Sequence, residues 1–307
     1  MKYRNFGKMG TLVSEIGFGC LRLAGTSTEG KNEVEVLNTI SEALDHGVNF
    51  FDTADIYGQG GSEKILGKAL RGRRTKVIIA TKAGYNLTRV GRGAAVLKPL
   101  LRPFVRRLSS LNRSVSQLRA SEMQQDFSPQ YLAKAIDHSL IRLRTDYIDL
   151  FQLHNPSLSI LESGEFLEAV EQAKAQGKIR GYGISCRAAQ DAQSCFLYSS
   201  NAAIQIPMNL LNIEAAGSIV AEAQKRGVAV IAREPFASGS MFNVMNFSSG
   251  SGVTHDRGAP TQAQAALKAL LRFPEISVVI PGMSTRAHLR ENIAALDGSA
   301  AEASKRI

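Results

Sequence analysis

Eight short apolar runs, each followed by a helix-length segment, repeat to the end of this chain, and that alternation limits its fold more than any other feature. The runs cover residues 16–20, 48–52, 76–82, 147–153, 178–184, 202–206, 228–232 and 277–280. Helical patterns fall near 32–46, 62–71, 129–143, 163–176, 187–199, 214–226, 260–272 and 285–296. Short runs that are apolar throughout read as strands covered on both faces, as in parallel sheets. Gly47, Gly177 and Gly227 stand where a helix turns back towards a strand and a C-cap needs positive φ. Ser128-Pro129 supplies an N-cap and a first-turn proline. Eight such units in 307 residues match an α/β fold of the (β/α)8 TIM-barrel type, here one barrel domain over residues 1–307. A doubly wound open sheet is the alternative, but it usually carries a Gly-rich fingerprint after its first strand, and Gly17-Phe-Gly19 is too short for one.

Residues 2–14 are expected to form an N-terminal β-hairpin under the barrel floor. Long βα loops follow strands 3 and 7: a basic insertion or lid over 86–127, and a Ser- and Gly-rich stretch over 233–258. The formal charge of +10 is concentrated, since residues 86–121 hold eight Lys and Arg and no carboxylate. One basic segment points to a local anionic ligand or surface rather than to a general nucleic-acid binder. Within it, apolar residues recur at helical spacing around Arg102, Arg106 and Arg107. The simplest account is a lid over a substrate mouth that selects an anionic or polar compound. Membrane or nucleic-acid binding through this segment ranks below that account. Three cysteines fit neither a disulfide framework nor zinc-ligand spacing. No apolar stretch approaches the roughly 18–20 residues that span a bilayer, and the N-terminus lacks a secretory core. A cytoplasmic location is expected.

Three of the apolar runs stop on polar groups. Asn49-Phe-Phe-Asp52 ends in a carboxylate, Val77-Ile-Ile-Ala-Thr-Lys82 in an ammonium, and Tyr147-Ile-Asp-Leu-Phe-Gln-Leu-His154 in an imidazole. In a barrel those exits share one mouth, where chemistry is carried, and Tyr57 joins them from the loop after Asp52. A phenol is a poor acid or base near neutral pH unless perturbed. Lys82 is expected to lower the pKa of Tyr57, with Asp52 holding the ammonium and His154 orienting a polar substrate atom. Such a set suits protonation of an oxygen as a carbonyl becomes an alcohol.

Asp52-Thr-Ala-Asp-Ile-Tyr57-Gly with Gly61-Ser-Glu63, then Ala80-Thr-Lys82 and Gln152-Leu-His154, resembles the signature of the aldo-keto reductase superfamily, and the likeness runs from about Gly17 to Asn292. The resemblance implies a catalytic tetrad of Asp52, Tyr57, Lys82 and His154, with Tyr57 as general acid, and a nicotinamide cofactor bound without a Rossmann domain. It implies Ser185 and Gln205 as carboxamide contacts, with Cys186 in a position usually held by Asn and Met208 in one commonly held by an aromatic residue. Arg233, Ser238 and Gly239 fall in the loop that the family wraps over the pyrophosphate. Gly282, Ser284, Arg286, Glu291 and Asn292 resemble its adenosine end. Arg286 favours NADP(H), but Gly282 and His288 replace the Lys and Arg often found there, so NAD(H) remains open. The expected activity is reversible reduction of an aldehyde or ketone. The alternative is a cofactor-loaded regulatory or redox-sensing barrel with little turnover. The expected partner is a small carbonyl or alcohol substrate, with the oligomeric state unread.

Overall fold

A computed structural model of the chain describes residues 1–24, 33–87, 123–198, 200–242 and 261–296. Strands β1 (Tyr3–Asn5) and β2 (Leu12–Ser14) form an antiparallel hairpin. The barrel strands are β3 (Phe18–Gly19), β4 (Phe50–Asp52), β5 (Ile78–Ala83), β8 (Ile148–His154), β9 (Ile179–Ser185), β10 (Ala203–Pro207), β11 (Ala229–Arg233) and β12 (Val278–Ile280), with β6 (Tyr85–Leu87) and β7 (Met123–Gln125) between β5 and β8. All eight barrel strands are parallel and adjacent in chain order. The seam between first and last is closed by Gly17 N–H to Val279 O at 2.8 Å, Val279 N–H to Glu15 O at 3.0 Å and Gly19 N–H to Pro281 O at 3.1 Å. Gly19 is required at that seam: a Cβ there would sit 2.8 Å from the Pro281 carbonyl oxygen.

Side chains alternate across each strand, so parity decides what faces the barrel axis. Phe50, Ile78, Ala80, Leu150, Ala203, Ala229, Ile231, Val278 and Ile280 pack in one interior cluster, while Phe51, Ile79, Phe151, Ile204, Val230 and Val279 join the larger core under the helices. Continuing the inward parity towards the C-terminal ends gives Asp52, Lys82, Gln152, His154, Ser185, Gln205 and Arg233. The rule that fills the barrel floor with apolar groups therefore fills its mouth with polar ones. Phe6 plugs the floor, its ring 5.5 Å from that of Phe50.

The surrounding helices are α1 (Glu33–Asp45), α2 (Gly61–Ala69), α3 (Pro129–Leu143), α4 (Leu158–Ser163), α5 (Phe166–Ala175), α6 (Ile213–Lys225), α7 (Gln262–Leu271) and α8 (Arg286–Ala294). Helix α3 starts where Ser128 accepts the Tyr131 N–H and Pro129 takes the first turn, and it stops at Arg144 in the left-handed region. Its buried residues Leu132, Ala135, Ile136, Ser139 and Leu143 form one stripe at helical spacing. The helix expected near 163–176 is α5, and a separate short helix, α4, precedes it and ends at Gly164 with φ 66. One helix expectation is corrected: the pattern over 187–199 is a 3-10 helix, Gln190–Leu197. The insertion expected over 86–127 begins and ends in paired strands, Tyr85 against Gln125 and Leu87 against Met123. The basic lid itself and most of the 233–258 loop lie outside the described residues. Among the described residues no helix is long and apolar enough to cross a membrane.

Candidate active site

Asp52 and Lys82 come from adjacent strand ends and are almost fully buried. The Lys82 ammonium donates to both Asp52 oxygens, at 2.7 and 2.8 Å, and to the Thr53 carbonyl at 2.7 Å. Burial alone would depress the Lys82 pKa. The Asp52 charge, the neighbouring Tyr57 and the hydrogen bonds to Asp52 together outweigh it, and the pKa is raised. Lys82 is thus a fixed cation, 5.2 Å from the centre of the Tyr57 ring. For Tyr57 itself burial is the largest influence and raises the pKa, and the opposing pull of Lys82 does not reverse it. The expectation that Lys82 lowers this pKa below the ordinary phenol value is therefore corrected: in this mouth Tyr57 keeps its proton.

His154 meets Tyr57 edge to face, with ring centres 6.0 Å apart and planes at 83°. Tyr85 closes on its other side at 5.1 Å and 86°. Burial, then the positive charges of Lys82 and Arg233, lowers the His154 pKa to about 3. The imidazole is neutral at any working pH, and its Nδ1 is buried without a partner. An inflection near neutral pH belongs to another group.

On the far side of the mouth, Ser185 and Gln205 are register partners on β9 and β10, and both are buried. The Oε1 of Gln205 and the Nδ2 of Asn292 are buried without partners. Cys186 turns away: its thiol lies 3.4 Å from that of Cys195, within the outer core. Met208 is likewise sealed in that core. Arg233 donates to the carbonyls of Cys186 at 2.8 Å and Arg187 at 3.0 Å and pairs with Glu234, tying the exits of β9 and β11 together. Beyond it Ala237, Ser238 and Gly239 have φ of 48°, 54° and 95°, three successive left-handed residues of which two are not glycine. Near the last strand, Gly282 bridges to Gly19, Ser284 is buried, and Thr285 caps α8 by accepting the His288 N–H. Arg286 and Arg290 both pair with Glu42 of α1, at 3.3 and 2.6 Å. The Glu291 carbonyl accepts from Gln264.

A model of the aldo/keto reductase family matches residues 15–303. The chain belongs to the aldo/keto reductase family. It is 29% identical to the uncharacterized oxidoreductase YqkF of Bacillus subtilis, over 96% of this chain and 91% of that protein. It is 27% identical to L-galactose dehydrogenase of Arabidopsis thaliana, over 96% and 88%. Among solved structures, the holo form of aldo-keto reductase AKR11C1 from Bacillus halodurans matches with a TM-score of 0.73 at 28% identity, over 97% of this chain and 92% of that one. An aldo/keto reductase of Klebsiella pneumoniae, solved with NADP and acetate, shares the fold at a TM-score of 0.67 and 24% identity, over 99% and 93%.

Sequence alone does not single out Tyr85, Tyr131, Gln152 or Cys195 in this aldo/keto reductase. Tyr85 offered the one available signal, an aromatic residue three positions beyond Lys82 at the same strand exit. Gln152 sits in an apolar run and reads as the lead-in to His154, yet neither atom of its buried amide has a partner.

Proposed function

We propose that this aldo/keto reductase reduces an aldehyde or ketone to the alcohol, reversibly, with NADP(H) preferred and Tyr57 as the acid. The observation that carries the reading is the placement of Tyr57 between a buried Lys82–Asp52 pair and His154, where burial keeps the phenol protonated and the imidazole neutral. Tyr57 gives its proton to the carbonyl oxygen. Lys82 stabilises the phenolate left behind, and Asp52 keeps the ammonium charged and in place. Neutral His154 adds no charge and orients the substrate oxygen by hydrogen bonding.

The residues opposite fit a nicotinamide dinucleotide. Gln205 Oε1 is an orphaned acceptor suited to the carboxamide N–H, with Ser185 beside it, and Asn292 Nδ2 is an orphaned donor suited to adenine. The left-handed run at Ala237, Ser238 and Gly239, next to Arg233, suits a backbone cradle for phosphate. Gly282, Ser284, Arg286 and Glu291 complete the adenosine end in this reading. When bound, the reduced nicotinamide supplies the hydride that ends on the carbonyl carbon.

The direct test is loss of NADPH absorbance with a reactive aromatic aldehyde. Consumption with NADPH supports the reading. Tight cofactor binding without turnover against a panel of aldehydes and ketones overturns it in favour of a regulatory barrel.

Arg286 gives a second test. Its pairing with Glu42 is open to solvent and shared with Arg290, so the pair holds it only weakly. Glu42→Gln is expected to free the guanidinium and tighten NADPH relative to NADH by about 2- to 5-fold, read as the ratio of dissociation constants from protein-fluorescence quenching. An unchanged ratio removes Arg286 from the 2′-phosphate site.

A further inference from the structure

Asp55 lies in the turn that carries Tyr57, and the reaction just described makes no use of it. The Asp55 N–H donates to the Lys82 carbonyl at 3.0 Å, fastening the turn to the exit of β5, and the Tyr57 N–H donates to Ala54 O at 3.1 Å within the turn. Among the described residues the Asp55 carboxyl forms no ion pair. Its Oδ2 lies 3.4 Å from the Tyr131 hydroxyl on α3, and its Oδ1 is buried without a partner. The same Tyr131 oxygen lies 2.8 Å from the carbonyl oxygen of Tyr85.

Counting protons fixes the state of this chain of groups. A carbonyl oxygen only accepts, so the close Tyr131–Tyr85 contact takes the single phenolic proton. Tyr131 then faces Asp55 as an acceptor, and two acceptors repel unless a proton lies between them. Only Asp55 can supply it. The surrounding charges agree. Burial and then the Glu63 carboxylate push Asp55 up to about 7, against the Arg142 charge and the Ile56 N–H. Arg142 is already bonded to Glu63 at 2.5 Å, and the Lys82 ammonium is occupied by Asp52. Burial, Asp55 and Asp126 together hold the Tyr131 phenol above its ordinary range, so Tyr131 itself stays protonated.

We propose that Asp55 is a proton-bearing positioning residue: as the neutral acid it donates to Tyr131, Tyr131 donates to the Tyr85 carbonyl, and the chain fixes the Tyr85 ring against His154. It joins the Tyr57 turn, α3 and the first residue of β6. On ionisation Asp55 becomes a charged acceptor and competes with Tyr85 for the one phenolic proton. The Tyr85 carbonyl loses its donor, and the wall beside His154 loosens. The link is complete below the Asp55 value and is lost as pH rises through about 7. Neutral His154 does not titrate there, so the inflection is assigned to Asp55.

The inference rests on the reductase reading, because Tyr57 and His154 are the groups being positioned. The test compares wild type with Asp55→Asn, whose amide donates to Tyr131 at every pH, and with Tyr131→Phe, which cuts the chain. Between about pH 6 and about pH 8.5 the wild-type KM for a neutral aldehyde is expected to rise about 3- to 10-fold, the worth of one hydrogen bond, while kcat changes less than about twofold. Asp55→Asn should hold KM near its low-pH value throughout, and Tyr131→Phe should show the raised KM at every pH. A readout without turnover accompanies this: a protonated-carboxyl infrared band, absent in Asp55→Asn, that disappears as pH rises through about 7. The same KM profile in wild type and Asp55→Asn, or no such band, overturns the Asp55 proposal and leaves the reductase standing. A protein that keeps the band but turns over no carbonyl compound overturns the positioning role together with the reductase reading.

Discussion

Tyr57→Phe is expected to lower kcat by about 10²- to 10⁴-fold, the usual worth of a placed general acid, and to leave the dissociation constant for NADPH within about twofold. The substitution is clean because the ring's contacts survive it. Phenylalanine keeps the edge-to-face packing on His154 and the ring face near Lys82, and only the hydroxyl is lost. The raised pKa bears on direction as well as size. A phenol held above its ordinary range is protonated at neutral pH and ready to give a proton to a carbonyl. In the reverse reaction it must first be deprotonated, so alcohol oxidation is expected to speed up with pH while carbonyl reduction does not. Steady-state rates in both directions and fluorescence quenching by cofactor check this. A variant that keeps more than about a tenth of the wild-type kcat would assign the acid to another group or to water.

The barrel was legible because its signal is local. Each strand is a short apolar run, and the observed strands lie within one or two residues of those runs, as for Ile148–His154 against 147–153. The exact agreement at α3 has a local cause too, the Ser128-Pro129 start. The site was legible for a related reason. Strand-end parity, a property of the sequence, sends Asp52, Lys82 and His154 inward once the strand register is right. What escaped reading depends on contacts distant in sequence. Tyr85 pairs with Gln125 across the whole insertion, and Tyr85-Asn-Leu87 and Met123-Gln-Gln125 are three residues each, too short for an alternating pattern to reveal a strand. Cys186 looked like a weakened cofactor contact, but its partner is Cys195, on a 3-10 helix whose pattern over 187–199 reads as an α-helix. The pairing of Arg286 with Glu42 joins residues 244 positions apart. The Tyr57 pKa was misread in sign because a sequence lists the charges near a phenol without showing how much water burial removes.

Lys82→Met should cost more stability than any surface change in this protein, about 3–5 kcal/mol, because it leaves the Asp52 carboxylate buried without its counter-charge. Methionine nearly matches the lysine stem in length, so packing loss is a minor part of that figure. The cost should be relieved by a second substitution. In Asp52→Asn with Lys82→Met the buried charge is gone, and the double variant should recover about 2 kcal/mol relative to Lys82→Met alone, a coupling expected of a directly bonded pair. Urea unfolding followed by fluorescence measures all three proteins. Additive losses would mean that the two side chains are held independently and that the bidentate pairing contributes little. The pH dependence follows from the raised Lys82 pKa. A lysine that gains a partner on folding contributes its full stabilisation below the unfolded value of 10.5 and loses it only as pH rises through the higher folded value. The contribution of the Lys82 charge to the difference between wild type and Lys82→Met should therefore persist across neutral pH and fade only in strong alkali. Both variants should also lose carbonyl reduction, since neither leaves a fixed cation beside the Tyr57 phenolate. Recovered folding without recovered turnover in the double variant would separate the two roles of the pair, one in holding the mouth together and one in stabilising the phenolate during the reaction.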